Sequence, residues 1–204
     1  MPKLICCSFP LLNSGDISGA RKRAIRLSQS LGTYVDRGYA IVYSCPTCGH
    51  ALKQIYPRLL GTDVARVVAQ NTHFISTYLL NLRRQGQSIL EFETSPLQLA
   101  YHTPCHLRSQ DLSTDSLELL SLIPGSDVMH LDSGCCGMGG TWGLRSRERG
   151  AISAEIGAPL FKEIHENEIQ LVATDCFGCQ LQIARFTGCS VIHPARVLAQ
   201  ALAR

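Results

Sequence analysis

The chain has 204 residues, and its 45% hydrophobic content is enough to build a sizeable core, which excludes wholesale disorder. Its formal net charge of +3 is too small to indicate a nucleic-acid-binding protein, so we expect no nucleic-acid partner. The apolar stretches fall far short of the roughly 20 residues that a membrane-spanning helix needs, which excludes a transmembrane protein but leaves contact with a membrane subunit open.

The hydrophobic pattern predicts helices that alternate with short strands. In chain order, the predicted elements are a helix over 17–34, a strand over 39–43, a helix over 64–82, a strand over 97–101, a helix over 116–123, a strand over 128–131, a helix over 145–164, a strand over 170–173 and a helix over 195–203. This alternation is typical of an α/β fold with largely parallel sheets. Because the segment 85–96 is polar and rich in turn residues, we expect two units, at 1–90 and 97–204.

Ten cysteines stand out in the composition, and most of them form two matching sets. Cys6-Cys7 precedes Cys45-Pro-Thr-Cys48, and Cys135-Cys136 precedes Cys176-Phe-Gly-Cys179. Each motif of the first set recurs about 130 residues later, which indicates a duplicated unit. Cys189 has no counterpart in the repeat, and we expect it in the core.

The second set has a fifth member, Cys105, which lies about 30 residues before its adjacent pair. The equivalent position in the first set would fall before residue 1, so we expect the first unit to be truncated at its N-terminal side. The chain shows no convincing secretory leader, and it is long enough to form a core without disulfides. We therefore expect free thiols that bind metal in a reducing cytosol.

The arrangement of the cysteines favours an iron–sulfur cluster over a single metal ion. A Cys-x-x-Cys pair suits either one zinc ion or one face of a cluster. Neighbouring side chains of an extended backbone point to opposite sides, so Cys135 and Cys136 are better suited to bind different irons. Five cysteines also exceed the four ligands of a tetrahedral ion. Small residues from Gly137 onward would allow backbone N–H groups to approach the cluster sulfurs.

These motifs resemble the cysteine-rich domain of the CCG family, which is usually duplicated. The family includes the B subunit of heterodisulfide reductase, iron–sulfur subunits of glycolate oxidase and lactate-utilisation proteins, and the motifs here are nearest to those in the C subunit of anaerobic glycerol-3-phosphate dehydrogenases. The resemblance is strongest over 97–204, and it rests on the segments 101–106, 131–137, 156–161, 173–176 and 198–203. The first unit departs from the family pattern, because Ser8 follows its adjacent cysteines where the family has glycine.

The resemblance implies a [4Fe–4S] cluster of non-cubane type, with no flavin, no NAD and no catalytic residue in this chain. The implied cluster ligands are Cys105, Cys135, Cys136, Cys176 and Cys179, and the implied partial second site is Cys6, Cys7, Cys45 and Cys48. His102, His106 and Gly137 are candidates to donate hydrogen bonds to the cluster sulfurs.

The resemblance also implies partners and a location. The chain would be the electron-transfer subunit of an oxidoreductase complex, and it would relay electrons from a flavoprotein dehydrogenase subunit toward membrane quinone. A ferredoxin-like N-terminal half, which this chain lacks, would be a further partner. The expected location is the cytoplasm, with peripheral contact at the inner face of the cytoplasmic membrane.

Two other functions fit the same residues. The chain could reduce a substrate disulfide, as heterodisulfide reductase does, and an open coordination position beside a pocket would favour that function. It could instead be an interaction module that zinc stabilises, since zinc also binds Cys-x-x-Cys pairs. Visible absorption separates zinc from iron, because zinc thiolates are colourless and iron–sulfur clusters are brown.

Overall fold

The structure is a computed structural model that describes residues 6–87 and 90–203. The chain forms two compact units, one that ends at Ile75 and one that begins at Ser76. These units are defined by packing, whereas the predicted ranges 1–90 and 97–204 refer to a duplication in the sequence. The duplication ranges therefore stay a prediction.

The first unit is mainly helical and contains one two-stranded parallel sheet. Its elements are α1 (Phe9–Ser14), α2 (Ile17–Val35), β1 (Ile41–Tyr43), α3 (Pro46–His50), a π-helical turn (Ala51–Ile55), α4 (Tyr56–Leu60), α5 (Asp63–Gln70) and β2 (Thr72–Phe74). The side chain of Asp16 accepts a hydrogen bond from the Gly19 N–H and so caps the start of α2. One side of α2 then buries Ala24 and Leu27 in a core that also contains Cys7.

The single helix predicted over 64–82 is wrong, because a strand interrupts it. Helix α5 ends at Gln70, β2 follows, and the next helix begins only at Ile75. Strand β2 pairs in parallel with β1, and it buries Thr72 and Phe74 on one face while His73 is half-buried. The Thr72 hydroxyl donates to the Val68 carbonyl at 2.6 Å, so the chain turns directly from helix into strand.

The second unit is a four-stranded, fully parallel sheet with helices on both faces. Its elements are α6 (Ile75–Arg84), β3 (Gln98–His102), α7 (Cys105–Arg108), α8 (Asp115–Ser121), β4 (Asp127–Leu131), a short 3-10 turn (Trp142–Leu144), α9 (Arg147–Glu166), β5 (Leu171–Ala173), α10 (Phe177–Thr187), β6 (Ser190–Ile192) and α11 (Pro194–Ala201). The strand order is β4-β3-β5-β6. The predicted α/β fold with parallel sheets is confirmed.

Strand β3 divides the core of the second unit into two layers, since alternate side chains of a strand point to opposite faces. Leu99 and Tyr101 pack with residues of α8 and α11 on one face. Ala100 packs on the other face with residues of α9 and α10, where Cys136 and Cys179 also lie. This parity decides which neighbours each side chain at the end of β3 meets.

Candidate metal centre

Three neighbouring strands of the second unit end at the same edge of the sheet, and each is followed by cysteine. Cys105 follows β3, Cys135 and Cys136 follow β4, and Cys176 follows β5 as the residue that precedes helix α10. The carboxyl ends of parallel strands are the usual place for ligand sites in α/β sheets. Cys179 lies one turn into α10, so its side chain returns to the same edge.

The structure brings these five cysteines into one continuous series of sulfur contacts. The Sγ atoms of Cys136 and Cys179 are 3.1 Å apart, and both residues are buried. The thiol of Cys135 contacts those of Cys105 and Cys136, while the thiol of Cys176 contacts that of Cys179. Cys105 is the exposed end of the series, and Cys135 and Cys176 are half-buried.

Within this series the protons are shared unequally. Hydrogen bonds from the thiols of Cys105 and Cys136 hold the pKa of Cys135 far below its usual range. The same hydrogen bonds, together with burial, raise the pKa of Cys105 and of Cys136. Contact with Cys136 and Cys176 and deep burial raise the pKa of Cys179 as well. Cys135 is therefore the member of this group that loses its proton most readily, whereas Cys105, Cys136 and Cys179 hold theirs more firmly.

The backbone after Cys136 fits closely around its neighbours and requires glycine at position 137. Gly137 has a φ of +82°, and a Cβ atom there would lie 1.9 Å from the Ser153 carbonyl oxygen. The Gly137 N–H donates to the Sγ of Cys135 at 3.3 Å. The Ser153 hydroxyl donates to the Gly137 carbonyl at 2.8 Å, which anchors the loop on helix α9.

His102 lies with the most buried thiols. Its side chain points to the same face of β3 as Ala100, and a ring nitrogen lies within 4.8 Å of the Sγ atoms of Cys136 and Cys179. Burial, aided by the positive charge of Arg108, lowers the pKa of His102 to about 4, so the ring is neutral at pH 7. His106 is placed differently, on the short helix α7, where its carbonyl accepts a hydrogen bond from the Ser109 hydroxyl.

A polar cluster that the sequence pattern did not predict lies behind the second-unit cysteines. Tyr101 donates a hydrogen bond to the buried carboxylate of Asp175 at 2.7 Å, and Ser116 donates to the same carboxylate at 3.1 Å. Burial raises the pKa of Asp175 to about 6. Because Asp175 directly precedes Cys176 and Tyr101 lies near the end of β3, these bonds join two of the cysteine-bearing strand ends. The one feature of the sequence that could have pointed to Asp175 is its position next to Cys176.

The first unit repeats this geometry with four cysteines. The Sγ atoms of Cys7 and Cys48 are 3.2 Å apart, which matches the pair formed by Cys136 and Cys179. Cys45 precedes helix α3 as Cys176 precedes α10, with nearly the same backbone angles. The Cys48 thiol hydrogen-bonds to both neighbours and lowers the pKa of Cys45 to about 6 and of Cys7 to about 7. Cys6 is exposed.

The donor set in each unit fits a soft metal. Thiolates select zinc or iron–sulfur clusters over magnesium and calcium, which prefer oxygen ligands. In the second unit, two buried thiols, a neutral imidazole and a backbone N–H that points at sulfur are the groups that such a cluster uses. Cys189 directly precedes β6, so it lies at the amino edge of the parallel sheet, opposite the edge that carries the five thiols, and its sulfur accepts a hydrogen bond from the Thr187 hydroxyl.

Comparison with known proteins places this site in a described domain type. Residues 99–184 match the CCG family of cysteine-rich domains. This match confirms the resemblance to the CCG family that the residues of 97–204 show. The matched CCG segment contains all five second-unit cysteines, His102 and Asp175.

Several curated proteins are similar to nearly the whole chain. It is 38% identical over 97% of its length to the C subunit of the anaerobic glycerol-3-phosphate dehydrogenase of Escherichia coli, of which it covers 50%. It is 26% identical over 95% of its length to "Lactate utilization protein A" of Bacillus subtilis, of which it covers 82%. It is 24% identical over 88% of its length to the D subunit of a CoB–CoM heterodisulfide reductase of Methanosarcina barkeri, of which it covers 44%. The chain thus spans half the length of the dehydrogenase subunit.

Among the helices that the structure describes, none combines the length and the apolar character that crossing a membrane requires.

Proposed function

We propose that the chain is an iron–sulfur electron-transfer subunit whose cluster is held by Cys105, Cys135, Cys136, Cys176 and Cys179. The observation that carries the proposal is the continuous contact of these five thiols at one sheet edge, within the segment that matches the CCG domain. Five thiolates in one place exceed the needs of a single tetrahedral zinc ion. A [4Fe–4S] cluster of non-cubane type is the cofactor we propose.

The residues of this chain contribute ligation, burial and hydrogen bonding. Bound iron and sulfide supply the one-electron chemistry. Cys136 and Cys179 hold their sulfurs away from water, and the Gly137 N–H stabilises negative charge on the Cys135 sulfur. Burial and hydrogen bonding of this kind set the reduction potential of an iron–sulfur centre.

For the first unit we propose a weaker, partial site formed by Cys6, Cys7, Cys45 and Cys48. The contact between the Cys7 and Cys48 sulfurs supports metal binding there. A set of four thiols binds a cluster less firmly than a set of five, because fewer bonds must break for release. The two sites belong to the two copies of the duplicated unit, at 1–90 and 97–204.

In the cell, we propose that this subunit accepts electrons from a flavoprotein dehydrogenase subunit and passes them toward membrane quinone. Similarity to the C subunit of an anaerobic glycerol-3-phosphate dehydrogenase supports this role. A ferredoxin-like half, encoded separately or in the same longer protein, is the second partner we propose. The complex would work in the cytoplasm at the inner face of the membrane.

The decisive experiment is anaerobic reconstitution of the full chain with iron and sulfide. We expect a brown protein with acid-labile sulfide, and we expect Cys136→Ser to lose most of the second-unit iron. Cys189→Ser is the matched control and should keep its iron, because Cys189 precedes β6 at the sheet edge opposite the five thiols. A colourless chain that binds zinc but no iron would favour the interaction module instead.

A separate experiment tests the relay. The reconstituted chain is mixed with its flavoprotein partner and glycerol 3-phosphate, and bleaching of the visible absorption is followed by stopped flow. Reduction through the flavoprotein supports the relay. If dithionite reduces the chain but the flavoprotein does not, the proposed cluster stands and the proposed electron donor is wrong.

Disulfide reduction is the second candidate function, and the exposure of Cys105 favours it because a disulfide substrate could approach that end of the series. One disulfide accepts two electrons and two protons to give two thiols. With dithionite as the electron donor, turnover of a small heterodisulfide by the reconstituted chain would support this function. Loss of that turnover in Cys105→Ser, with Cys189→Ser unaffected, would assign it to the cluster end that Cys105 occupies.

A further inference from the structure

His102 is a buried polar group with unmet bonding needs. It is 1% exposed, and neither ring nitrogen has a hydrogen-bond partner among the described residues. A buried polar group without a partner is costly, so it calls for an explanation such as an ion or a redox role. The fold, not chance, sets its position, because the parity of β3 turns His102 toward the layer that holds Cys136 and Cys179.

The two ring nitrogens need different partners. A neutral imidazole has one N–H donor and one nitrogen with a lone pair. The N–H can donate to a neighbouring sulfur. The lone pair needs a donor or a cation, and once Cys136 and Cys179 have lost their protons to bind metal, their sulfurs are acceptors only. A hydrogen bond to sulfur therefore satisfies one nitrogen and leaves the other without a partner.

We propose that His102 binds the metal centre directly through a ring nitrogen, which makes it a mixed cysteine–histidine centre. The inference rests on the proposed iron–sulfur function. A ring nitrogen lies within 4.8 Å of both the Cys136 and Cys179 sulfurs. Because metal–nitrogen and metal–sulfur bonds measure about 2.0–2.3 Å, ligand atoms this close reach one iron or two neighbouring irons.

Histidine ligation has a consequence that pure thiolate ligation lacks. A neutral imidazole donates less negative charge to iron than a thiolate does. In two-iron centres, replacement of two cysteine ligands by histidine raises the reduction potential. We therefore expect His102 to make this centre easier to reduce than an all-cysteine centre, which suits it to accept electrons from a flavoprotein.

The test is magnetic resonance on the full chain, reconstituted anaerobically with iron and sulfide and labelled with ¹⁵N only in histidine. In a paramagnetic redox state of the centre, we expect strong ¹⁵N hyperfine coupling, as direct ligation produces. His102→Cys should keep its iron, because a thiolate takes the place of the imidazole. It should also lose the coupling and show a lower midpoint potential. His130→Gln is the matched control and should retain the coupling, because His130 is an exposed strand residue bonded to the Thr103 hydroxyl.

The outcomes separate this inference from the proposed function. A chain that takes up no iron overturns the proposed function, and the role of His102 falls with it. An iron-loaded chain with only weak ¹⁵N coupling overturns ligation and leaves His102 as a hydrogen-bond donor. Coupling that survives in His102→Cys would assign the ligand to another histidine. Circular dichroism of the metal-free variants checks that each one folds.

Discussion

The residue that follows each adjacent cysteine pair adopts a left-handed backbone, although the two units use different residues there. Gly137 has a φ of +82°, and Ser8 has a φ of +59°. For a residue with a Cβ atom this conformation costs about 1–2 kcal/mol. Ser8 is buried, and its hydroxyl donates to the Ala20 carbonyl, which offsets part of that cost. The first unit thus has the left-handed backbone that Gly137 adopts in the second unit, with serine in place of glycine.

We predict opposite sensitivities at these two positions. Gly137→Ser should destabilise the metal-free second unit by more than about 2 kcal/mol. The backbone strain adds to a clash, because the new Cβ atom would lie 1.9 Å from the Ser153 carbonyl oxygen. Ser8→Gly should change stability by less than about 1 kcal/mol, since relief of strain compensates for a lost hydrogen bond. Urea unfolding of each variant, followed by circular dichroism under reducing conditions, measures both changes. Equal losses at the two positions would show that the close fit around Gly137 is not what makes it necessary.

At the scale of elements, the second-unit site depends on how β3 and β5 are held together at their carboxyl ends. The hydrogen bond from Tyr101 to Asp175 links the end of β3 to the loop that carries Cys176. Tyr101 packs on the face of β3 opposite the one to which His102 points. Loss of this bond should change the spacing of the strand ends without removing any ligand.

We predict that Tyr101→Phe loses iron faster than the unmodified chain. Removal of a hydrogen bond to a buried carboxylate destabilises a fold by about 1.5–3 kcal/mol, and the loop before Cys176 depends on that carboxylate. Transfer of iron to a chelator, followed by absorbance, gives the rate. The control is Tyr39→Phe, which alters an exposed tyrosine of the first unit and should leave the rate unchanged. A Tyr101→Phe rate equal to that of the control would show that the hydrogen bond from Tyr101 to Asp175 does not help the site to retain iron.

The sequence predicted the regular elements best where the apolar pattern was long. The helices α2, α9 and α11 and the strands β3, β4 and β5 lie close to their predicted positions. Strand β2 was missed because Val68, Thr72, Ile75 and Leu79 continue a helical spacing through it, so the periodicity could not show the break. Strand β6 is three residues long and carries too little pattern to be recognised.

The candidate site was predicted in part for a similar physical reason. The five second-unit cysteines stand out in the sequence because two of their motifs recur about 130 residues apart and Cys105 precedes them. Asp175, Tyr101 and Ser116 meet only because three elements fold together, and no spacing along the chain records that meeting. His102 was a candidate from its place beside Cys105, but its position among the buried thiols depends on strand parity.

At the scale of the molecule, the two units present the same arrangement of sulfurs with unequal completeness. We predict that Cys136→Ser removes most of the bound iron and destabilises the second unit, because metal binding and folding are coupled. Cys45→Ser should remove much less iron, since the first unit offers four thiols and the second offers five. Iron analysis with thermal unfolding of both variants measures the asymmetry. Equal iron loss from the two variants would show that this ranking of the sites is wrong.

The short distances between sulfurs also govern what happens to a chain that has not yet received metal. The Sγ atoms of Cys136 and Cys179 are 3.1 Å apart, and those of Cys7 and Cys48 are 3.2 Å apart, so a small movement brings either pair to the disulfide bond length of about 2.05 Å. Each pair would give up two hydrogens to an oxidant such as oxidised glutathione.

During maturation, iron delivery then competes with disulfide formation in the metal-free sites. We predict that metal-free chain treated with oxidised glutathione gains intramolecular disulfides at these pairs, found by mass spectrometry of its peptides, and takes up iron again only after reduction. Chain loaded beforehand should resist the same treatment. If prior loading gave no protection, the paired sulfurs would not be the ones that the metal occupies.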